Sequence, residues 1–150
     1  MLTIFKYTLL VFLLRTQVIG QVVYVSDGDT FHVKIKSGEK IRIRLEGIDC
    51  PEITQPYGLE AKEFVINNIL NKEVRLHIVD TDQYGRKIAK VFFNGKDLAK
   101  ALLENGYAWH YKRYNQETDM AELENTARTN KVGLWSEPNP VPPWEFRKTR

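Results

Sequence analysis

The sequence predicts a single α+β domain built on a small closed β-barrel of five strands, with about three helices. Apolar and polar residues alternate in five short segments, as in half-buried strands. In three other segments apolar residues recur every three or four positions, as in amphipathic helices. Strands with one inserted helix, followed by further helices in a chain of 150 residues, favour one barrel with helices around it.

The five predicted strands form a run of three and a later pair. The first three cover residues 22–25, 31–35 and 41–45, and they are separated by Asp27-Gly28-Asp29 and Ser37-Gly38-Glu39. Both separators are typical of tight turns, so these strands should form a meander. The other two cover residues 74–78 and 88–93, on either side of Tyr84-Gly85-Arg86.

Helices are predicted at about residues 57–70, from Leu98 onward, and over residues 118–129. The second helix should end at Asn105-Gly106, because glycine commonly terminates a helix. Four of the six prolines lie in residues 136–150, so we expect an extended C-terminal tail. Trp144 and Phe146 either fold back onto the domain or stay loose, and simple packing or fraying is favoured over a partner-binding motif.

The first twenty residues resemble a secretory signal peptide. Lys6 precedes a short apolar run over residues 7–14, and residues 18–20 are small enough for cleavage before Gln21. Arg15 interrupts the pattern, and a buried N-terminal strand or an uncleaved anchor is the alternative. The prediction divides the chain into a signal at 1–20, a domain at 21–135 and a tail at 136–150, with a secreted or periplasmic product.

Net charge gives little support for nucleic-acid binding. The chain carries +3, and loss of residues 1–20 would leave 20 basic and 19 acidic residues, a net charge of +1. Any attraction to a polyanion must therefore be local. The lone Cys50 cannot form a disulfide within the chain. One small domain of this kind is expected to be a monomer.

Three short motifs supply charged side chains from separate turns or strand ends. They are Asp27-Gly28-Asp29-Thr30, the segment from Arg44 through Asp49-Cys50-Pro51-Glu52, and Tyr84-Gly85-Arg86. Each alone is compatible with an ordinary turn or a surface charge.

Together these motifs offer three carboxylates and two arginines. Hard cations prefer several oxygen ligands, and phosphodiester hydrolysis needs a positioned water, a base and positive donors. An arginine can donate two hydrogen bonds to phosphate oxygens. The combination is typical of metal-assisted attack on a phosphate, although other anionic substrates are compatible with it.

The order of these motifs resembles that of the staphylococcal nuclease (thermonuclease) family. Gly133-Leu134-Trp135 is similar to the closing element of that family, so the resemblance covers residues 22–135. It implies an oligonucleotide-binding (OB) barrel and calcium-dependent cleavage of DNA and RNA, with products that carry a 3′-phosphate.

The resemblance also implies roles for individual residues. Asp29 and Asp49 would bind Ca²⁺ through carboxylates and Cys50 through its backbone carbonyl. Glu52 would act on the attacking water as general base or positioner, and Arg44 and Arg86 would bind the scissile phosphate. Tyr84, Lys112 and Tyr114 would contact the nucleotide.

The sequence departs from the family pattern at three places. Cys50 stands where a threonine is familiar, Lys112 replaces one of two paired tyrosines, and the loop after Glu52 is short. Two alternatives therefore stay open: a non-catalytic nucleic-acid-binding module on the same barrel, and a secreted barrel that binds sugars or protein.

Overall fold

Five long strands curl into a closed barrel in the computed structural model, which describes residues 17–150. In chain order the strands are β1 (Gln17–Asp27), β2 (Thr30–Ile35), β3 (Lys40–Leu45), β4 (Ile48–Asp49), β5 (Glu73–Thr81), β6 (Lys87–Phe93), β7 (Lys96–Asp97) and β8 (Trp109–His110). The main sheet has the order β3-β2-β1-β5-β6-β7, and a parallel pairing of β3 with β6 closes it. This architecture confirms the predicted α+β barrel of OB type.

The helices are α1 (Gly58–Ile69), α2 (Leu98–Glu104), α3 (Thr118–Thr129) and the single turn α4 (Pro143–Phe146). Two 3₁₀ segments, Gly133–Ser136 and Arg147–Thr149, complete the described secondary structure. The three predicted helices are all present. Within residues 17–150, none of the helices has both the length and the apolar composition needed to cross a bilayer.

The barrel interior is filled by side chains from alternate strand positions. Phe31, Val33 and Ile43 are fully buried, as are Leu76 and Val91 from the opposite wall. The amphipathic α1 adds Ala61, Val65 and Ile69 to the same core, and α2 adds Leu98, Leu102 and Leu103. The alternation visible in the sequence therefore does separate the core face from the solvent face.

A second, smaller apolar cluster lies beside the barrel. It consists of Trp109, Ala127, Leu134 and Trp135, with Tyr57 and Trp144 packed against it. The Arg128 guanidinium lies 3.9 Å from the ring centroid of Trp135. This cluster joins β8, α3 and the C-terminal segment, so it fixes the end of the chain to the domain.

The C-terminal segment differs from the extended tail that its prolines suggested. Pro143 begins α4, a position where proline is tolerated because its missing N–H needs no partner. Trp144 stacks on Tyr111, with ring centroids 5.0 Å apart, and meets Trp109 edge-on at 5.6 Å. Aromatic packing therefore folds the tail back onto the domain.

The start of β1 overlaps the predicted signal segment. Residues 1–16 of that segment lie outside the described residues, but Gln17 to Gly20 are part of β1. These four residues pair antiparallel with residues 74–77 of β5.

Candidate active site

A polar cleft of about 340 Å³ opens where the β1–β2 turn, the end of β3, β4 and the β5–β6 turn meet. Seven of the nine residues proposed from sequence line it: Asp29, Arg44, Asp49, Cys50, Glu52, Tyr84 and Arg86. The remaining lining residues are Asp27, Thr30, Pro51 and Arg147. Lys112 and Tyr114 are not part of the lining.

The register of the barrel brings Asp29 and Asp49 to one arginine. Thr30 of β2 pairs with Arg44 of β3, so the turn that carries Asp29 lies beside the Arg44 side chain. Arg44 Nε lies 3.5 Å from Asp29 Oδ1, and its Nη2 lies 3.2 Å from Asp49 Oδ1. Both carboxylates are almost fully buried, at 5% and 2% exposure, so they face one enclosed point.

Arg44 is also part of the backbone framework of the site. Its Nη1 donates to the carbonyl oxygens of Leu45 at 2.7 Å and of Ile48 at 2.8 Å. Burial lowers the pKa of Arg44, but the negative charges of Asp29 and Asp49 outweigh it, and the pKa is raised. Arg44 therefore stays charged and holds β3 to β4.

Cys50 supports Asp29 through its backbone. The Cys50 N–H donates to Asp29 Oδ2 at 2.7 Å. Burial, followed by the negative charge of Asp29, raises the pKa of the Cys50 thiol well above its ordinary value. A protonated, buried thiol is a poor ligand for a soft metal.

Gly28 allows the close approach between the β1–β2 turn and Cys50. A Cβ at Gly28 would lie 2.9 Å from both Ala61 Cβ and Cys50 Sγ. The Gly28 backbone does not have a positive φ, so packing rather than turn conformation excludes a side chain here.

Glu52 lies at the start of the short loop that leads into α1. Its N–H donates to Gln55 Oε1 at 2.9 Å, and Gln55 Nε2 donates to the Val141 carbonyl at 3.0 Å. A Cβ at Gly58 would lie 2.0 Å from the Glu52 carbonyl oxygen, so the loop closes tightly against the helix. Glu52 is thus fixed by its own loop and connected to the C-terminal segment.

Arg86 is held by the β5–β6 turn. Asp82 Oδ1 accepts the N–H groups of Tyr84 and Arg86 at 2.9 and 3.0 Å, and Asp82 Oδ2 accepts Arg86 Nε at 2.7 Å. Desolvation raises the pKa of Asp82, but the hydrogen bonds from Arg86 prevail and lower it. Gly85 has a φ of 77°, a left-handed conformation that glycine adopts without strain.

Arg147 was not predicted as a site residue. Its Nη2 donates to Asp49 Oδ2 at 2.6 Å and its Nη1 to Glu52 Oε1 at 2.8 Å. A third bond joins Nη1 to Asp49 Oδ1 at 3.3 Å. The hydrogen bond to Asp49 is the main reason that the pKa of Arg147 is raised. No local sequence signal marks this residue, because only the folded tail brings it to the cleft.

Asp27 is a second charged lining residue that the sequence analysis did not assign. Burial, followed by the negative charge of Asp29, raises the pKa of Asp27 to about 7. It was present in the first motif, but only its position beside Asp29 in the folded turn distinguishes it from a turn residue.

The charge and chemistry of the cleft fit a hard cation. Asp27, Asp29, Asp49 and Glu52 all line the cleft, and burial, followed by the negative charge of Asp29, raises the pKa of Asp27. Carboxylate oxygens are the ligands that calcium prefers. Among residues 17–150 there is no ready cage of three or more His, Cys, Asp or Glu side chains. A divalent ion would therefore need carbonyl or water oxygens besides two buried carboxylates.

The segment after β8 carries the two predicted nucleotide contacts that lie outside the cleft lining. Tyr114 is 68% exposed and meets Tyr111 edge-on, with ring centroids 4.9 Å apart. Lys112 Nζ lies 3.8 Å from Glu124 Oε1 and is largely solvated. Both side chains are available to a ligand, but neither contacts the acid and arginine set.

The short strand β4, which carries Asp49, is supported from α3. Ile48 and Asp49 pair with His110 and Trp109 of β8. The His110 N–H donates to the buried Glu124 Oε2 at 2.5 Å. Glu124 therefore positions β8, and through it the strand that presents Asp49.

Comparison with known proteins places these features in a family. The family model described as staphylococcal nuclease homologue matches residues 42–137. A staphylococcal-like nuclease of Arabidopsis thaliana is 41% identical over 112 residues, which cover 75% of this chain and 35% of that protein. An uncharacterized 38.1 kDa protein of Capnoides sempervirens is 42% identical over 111 residues, which cover 74% of this chain and 33% of that protein.

The bacterial relatives match over more of their length. An uncharacterized endonuclease of Escherichia coli O157:H7 is 39% identical over 129 residues, which cover 85% of this chain and 84% of that protein. The chain spans only about a third of the plant relatives. The matched segment includes the end of β3, β4 and the β5–β6 turn, which supply most of the cleft. This chain belongs to the staphylococcal nuclease family.

Proposed function

We propose that the protein is a calcium-dependent nuclease that hydrolyses phosphodiester bonds in both DNA and RNA and leaves 3′-phosphate products. The observation that carries the proposal is the convergence of Asp29, Asp49 and Glu52 with Arg44 and Arg86 on one cleft of about 340 Å³. Family membership supports the nuclease activity itself. The metal, the substrate range and the product are inferred from the chemistry of the cleft and from the family resemblance.

Asp29 and Asp49 are the residues that would hold the metal, together with the backbone carbonyl of Cys50. When bound, Ca²⁺ would supply positive charge to the phosphate and lower the pKa of a coordinated water. Burial keeps the two carboxylates poorly solvated, so they gain more from a cation than surface acids would. The Cys50 backbone N–H fixes the orientation of the Asp29 carboxylate in advance.

Glu52 is suited to act on the attacking water, either as the base that takes its proton or by positioning it. Attack on phosphorus would break the bond to the 5′-oxygen, which takes up a proton and leaves the phosphate on the 3′ side. Arg44 and Arg86 would donate to the non-bridging oxygens as their charge grows. Both arginines are already oriented by acceptors of the protein, Arg44 by Asp49 and Arg86 by Asp82.

Three further side chains are proposed to hold the nucleotide. Tyr84 lines the cleft and is 68% exposed, so its ring is free to stack on a base or sugar. Tyr114 offers a second exposed ring, and Lys112 offers a cation for a neighbouring phosphate.

The activity can be tested on single- and double-stranded DNA and on RNA, with calcium and with a chelator. We expect degradation of all three in calcium and none in the chelator. Product ends should resist extension by a polymerase until a phosphatase removes the 3′-phosphate. Intact substrates across a calcium and pH series would refute the nuclease proposal.

Glu52→Gln separates catalysis from binding. We expect this variant to lose most cleavage and to keep oligonucleotide affinity, while Glu39→Gln on the exposed β2–β3 turn retains both. If the unmodified protein binds nucleic acid without cleaving it, and Glu52→Gln changes nothing, the chain is a non-catalytic binding module.

We also propose that the protein is exported to the periplasm or the medium and acts there as a monomer. The charged and apolar order of residues 1–20 supports export. Fractionation of the producing cells and size-exclusion chromatography test the two statements separately.

A further inference from the structure

We propose that Arg147 is an internal counter-cation that competes with the divalent metal for Asp49 and with the attacking water for Glu52, and so sets the metal affinity of the cleft. The inference rests on the metal site of the proposed function. It concerns a residue outside the segment matched by the family model, which ends at residue 137.

Arg147 occupies the oxygens that the metal and the water would need. Its guanidinium contacts both carboxylate oxygens of Asp49, Nη1 to Oδ1 at 3.3 Å and Nη2 to Oδ2 at 2.6 Å. With Arg44 Nη2 also at Asp49 Oδ1, both oxygens have guanidinium donors. These bonds use three of the about four lone-pair sites of the carboxylate, so a metal ion at Asp49 would lie within a few Å of a guanidinium charge unless Arg147 withdraws.

Arg147 is the donor that can give way. Arg44 also donates to two backbone carbonyls and is 14% exposed, so its withdrawal would break the connection between β3 and β4. Within residues 17–150 the Arg147 side chain bonds to carboxylates alone. It is 42% exposed and lies in a terminal 3₁₀ turn. Repulsion by a dication only a few Å away would favour its departure into solvent.

The position of Arg147 is built into the fold of the tail. Trp144 stacks on Tyr111, and Gln55 donates to the Val141 carbonyl, so the chain on the N-terminal side of Arg147 is attached at two points. Gln55 also accepts the Glu52 N–H, which links this attachment to the cleft itself. A chance contact of a loose terminus would have no such anchors.

The competition predicts a reciprocal effect on binding and stability. Removal of Arg147 leaves the buried Asp49 carboxylate short of one cation, which a metal can then replace. Metal should therefore bind more tightly to Arg147→Gln than to the unmodified protein. By linkage, any stability that Arg147→Gln loses in a chelator should be recovered at saturating calcium.

The experiment is calcium titration by calorimetry on the full chain at fixed ionic strength, after removal of metal with a chelator. We expect Arg147→Gln to lower the calcium Kd by about five-fold or more, the lower end of typical coupling between sites. The calcium Kd of Arg147→Lys should lie between those of Arg147→Gln and the unmodified protein. Lysine keeps the positive charge but cannot donate two parallel hydrogen bonds to one carboxylate. Lys148→Gln is the matched control, since Lys148 pairs with Glu145 three residues earlier, and the calcium Kd of this variant should not change.

The melting transition separates competition from simple loosening of the tail. Loosening would lower the melting temperature of Arg147→Gln in a chelator without tightening its calcium binding. A weaker or unchanged calcium affinity in Arg147→Gln, with a normal melting transition, would overturn the competition while the metal site stands. If neither the unmodified protein nor Arg147→Gln binds calcium, the metal assignment fails and the competition falls with it.

Discussion

At the scale of single residues, the two arginines proposed to bind phosphate are embedded in different ways. Arg44 donates to two backbone carbonyls and contacts two buried carboxylates. Arg86 has one carboxylate partner, Asp82, within its own turn and is 25% exposed. Loss of Arg44 should therefore affect folding and catalysis together, whereas loss of Arg86 should affect catalysis alone.

The comparison of Arg44→Gln with Arg86→Gln tests this difference. Arg44→Gln leaves buried charge uncompensated, so we expect the free energy of unfolding to fall by about 3 kcal/mol. Arg86→Gln should change it little but slow cleavage by about 10²–10³-fold, as loss of one donor to a transition-state oxyanion does. Urea unfolding in a chelator and single-turnover cleavage in calcium measure the two effects. Equal losses of stability in both variants would contradict the structural role given to Arg44.

The sequence identified the side chains that lie within short motifs and missed those that depend on folding. Asp49 and Glu52 are three residues apart at a strand end, so their approach follows from local geometry. Arg147 reaches them from almost a hundred residues away, and the packing of Trp144 on Tyr111 and the Gln55 bond to the Val141 carbonyl place it there. Asp27 became distinguishable only when its burial beside Asp29 was visible.

At the scale of elements, the helix α3 supports the short strand β4 through β8. Glu124 Oε2 accepts the backbone N–H of His110 in β8, and β8 pairs with β4. Glu124 is 1% exposed and Arg128 Nη2 lies 3.2 Å from it, so its charge is compensated within the same helix. This chain of contacts connects α3 with Asp49.

The variant Glu124→Ala tests the connection from α3 through β8 to β4. The variant leaves a buried N–H without an acceptor, which costs about 1–3 kcal/mol. It should also weaken calcium binding, because β4 is less firmly held. Glu122→Ala removes an exposed acid two residues away on the same helix and should change neither quantity. Thermal unfolding in a chelator measures the stability, and calcium titration measures the affinity. Equal stability and equal calcium affinity of the two variants would argue against a role for β8 in positioning β4.

The first strand gives a test of the N-terminal boundary. A protein that begins at Gln21 loses four of the five β1–β5 residue pairs, those of residues 17–20 with residues 74–77. We therefore expect it to melt several degrees below a protein that begins at Gln17, since about 1 kcal/mol corresponds to roughly 4 °C in a domain of this size. Scanning calorimetry of the two proteins measures the difference. The intact mass of exported protein would show which end is produced, and identical melting temperatures would mean that residues 17–20 add no stability.

Local patterns predicted the long elements and missed the short ones. The five long strands and three helices have enough residues to display a period of two or of 3.6. The two-residue strands β4, β7 and β8 have no such pattern, because only their partners define them. The prolines at positions 142 and 143 suggested extension, but Pro143 occupies the first turn of α4, where its fixed φ is compatible with a helix.

At the scale of the whole molecule, the small net charge of +3 means that nucleic acid must be attracted by local groups. The cleft itself carries four carboxylates and three arginines, a net charge of −1 when all are ionised, so its own field does not favour a polyanion without a bound cation. Metal binding would therefore make the net charge of the cleft positive, in addition to its proposed role in hydrolysis. We expect oligonucleotide affinity to depend on calcium even in a variant that cannot cleave.

The salt dependence of oligonucleotide affinity measures the number of phosphate contacts. The titration is done in calcium on the Glu52→Gln variant, so that the oligonucleotide is not cleaved. Each phosphate contact to a single strand adds about −0.7 to the slope of log affinity against log salt. Contacts from Arg44 and Arg86 alone therefore predict a slope of about −1.4. If Lys112 also contacts a phosphate, the slope should be steeper, and Lys112→Gln should reduce it by about 0.7. Lys36→Gln, on the exposed β2–β3 turn, is the control and should leave the slope unchanged. A slope near zero would mean that none of these cations binds the phosphate backbone, whereas equal slopes with and without Lys112 would remove that residue alone from the binding surface.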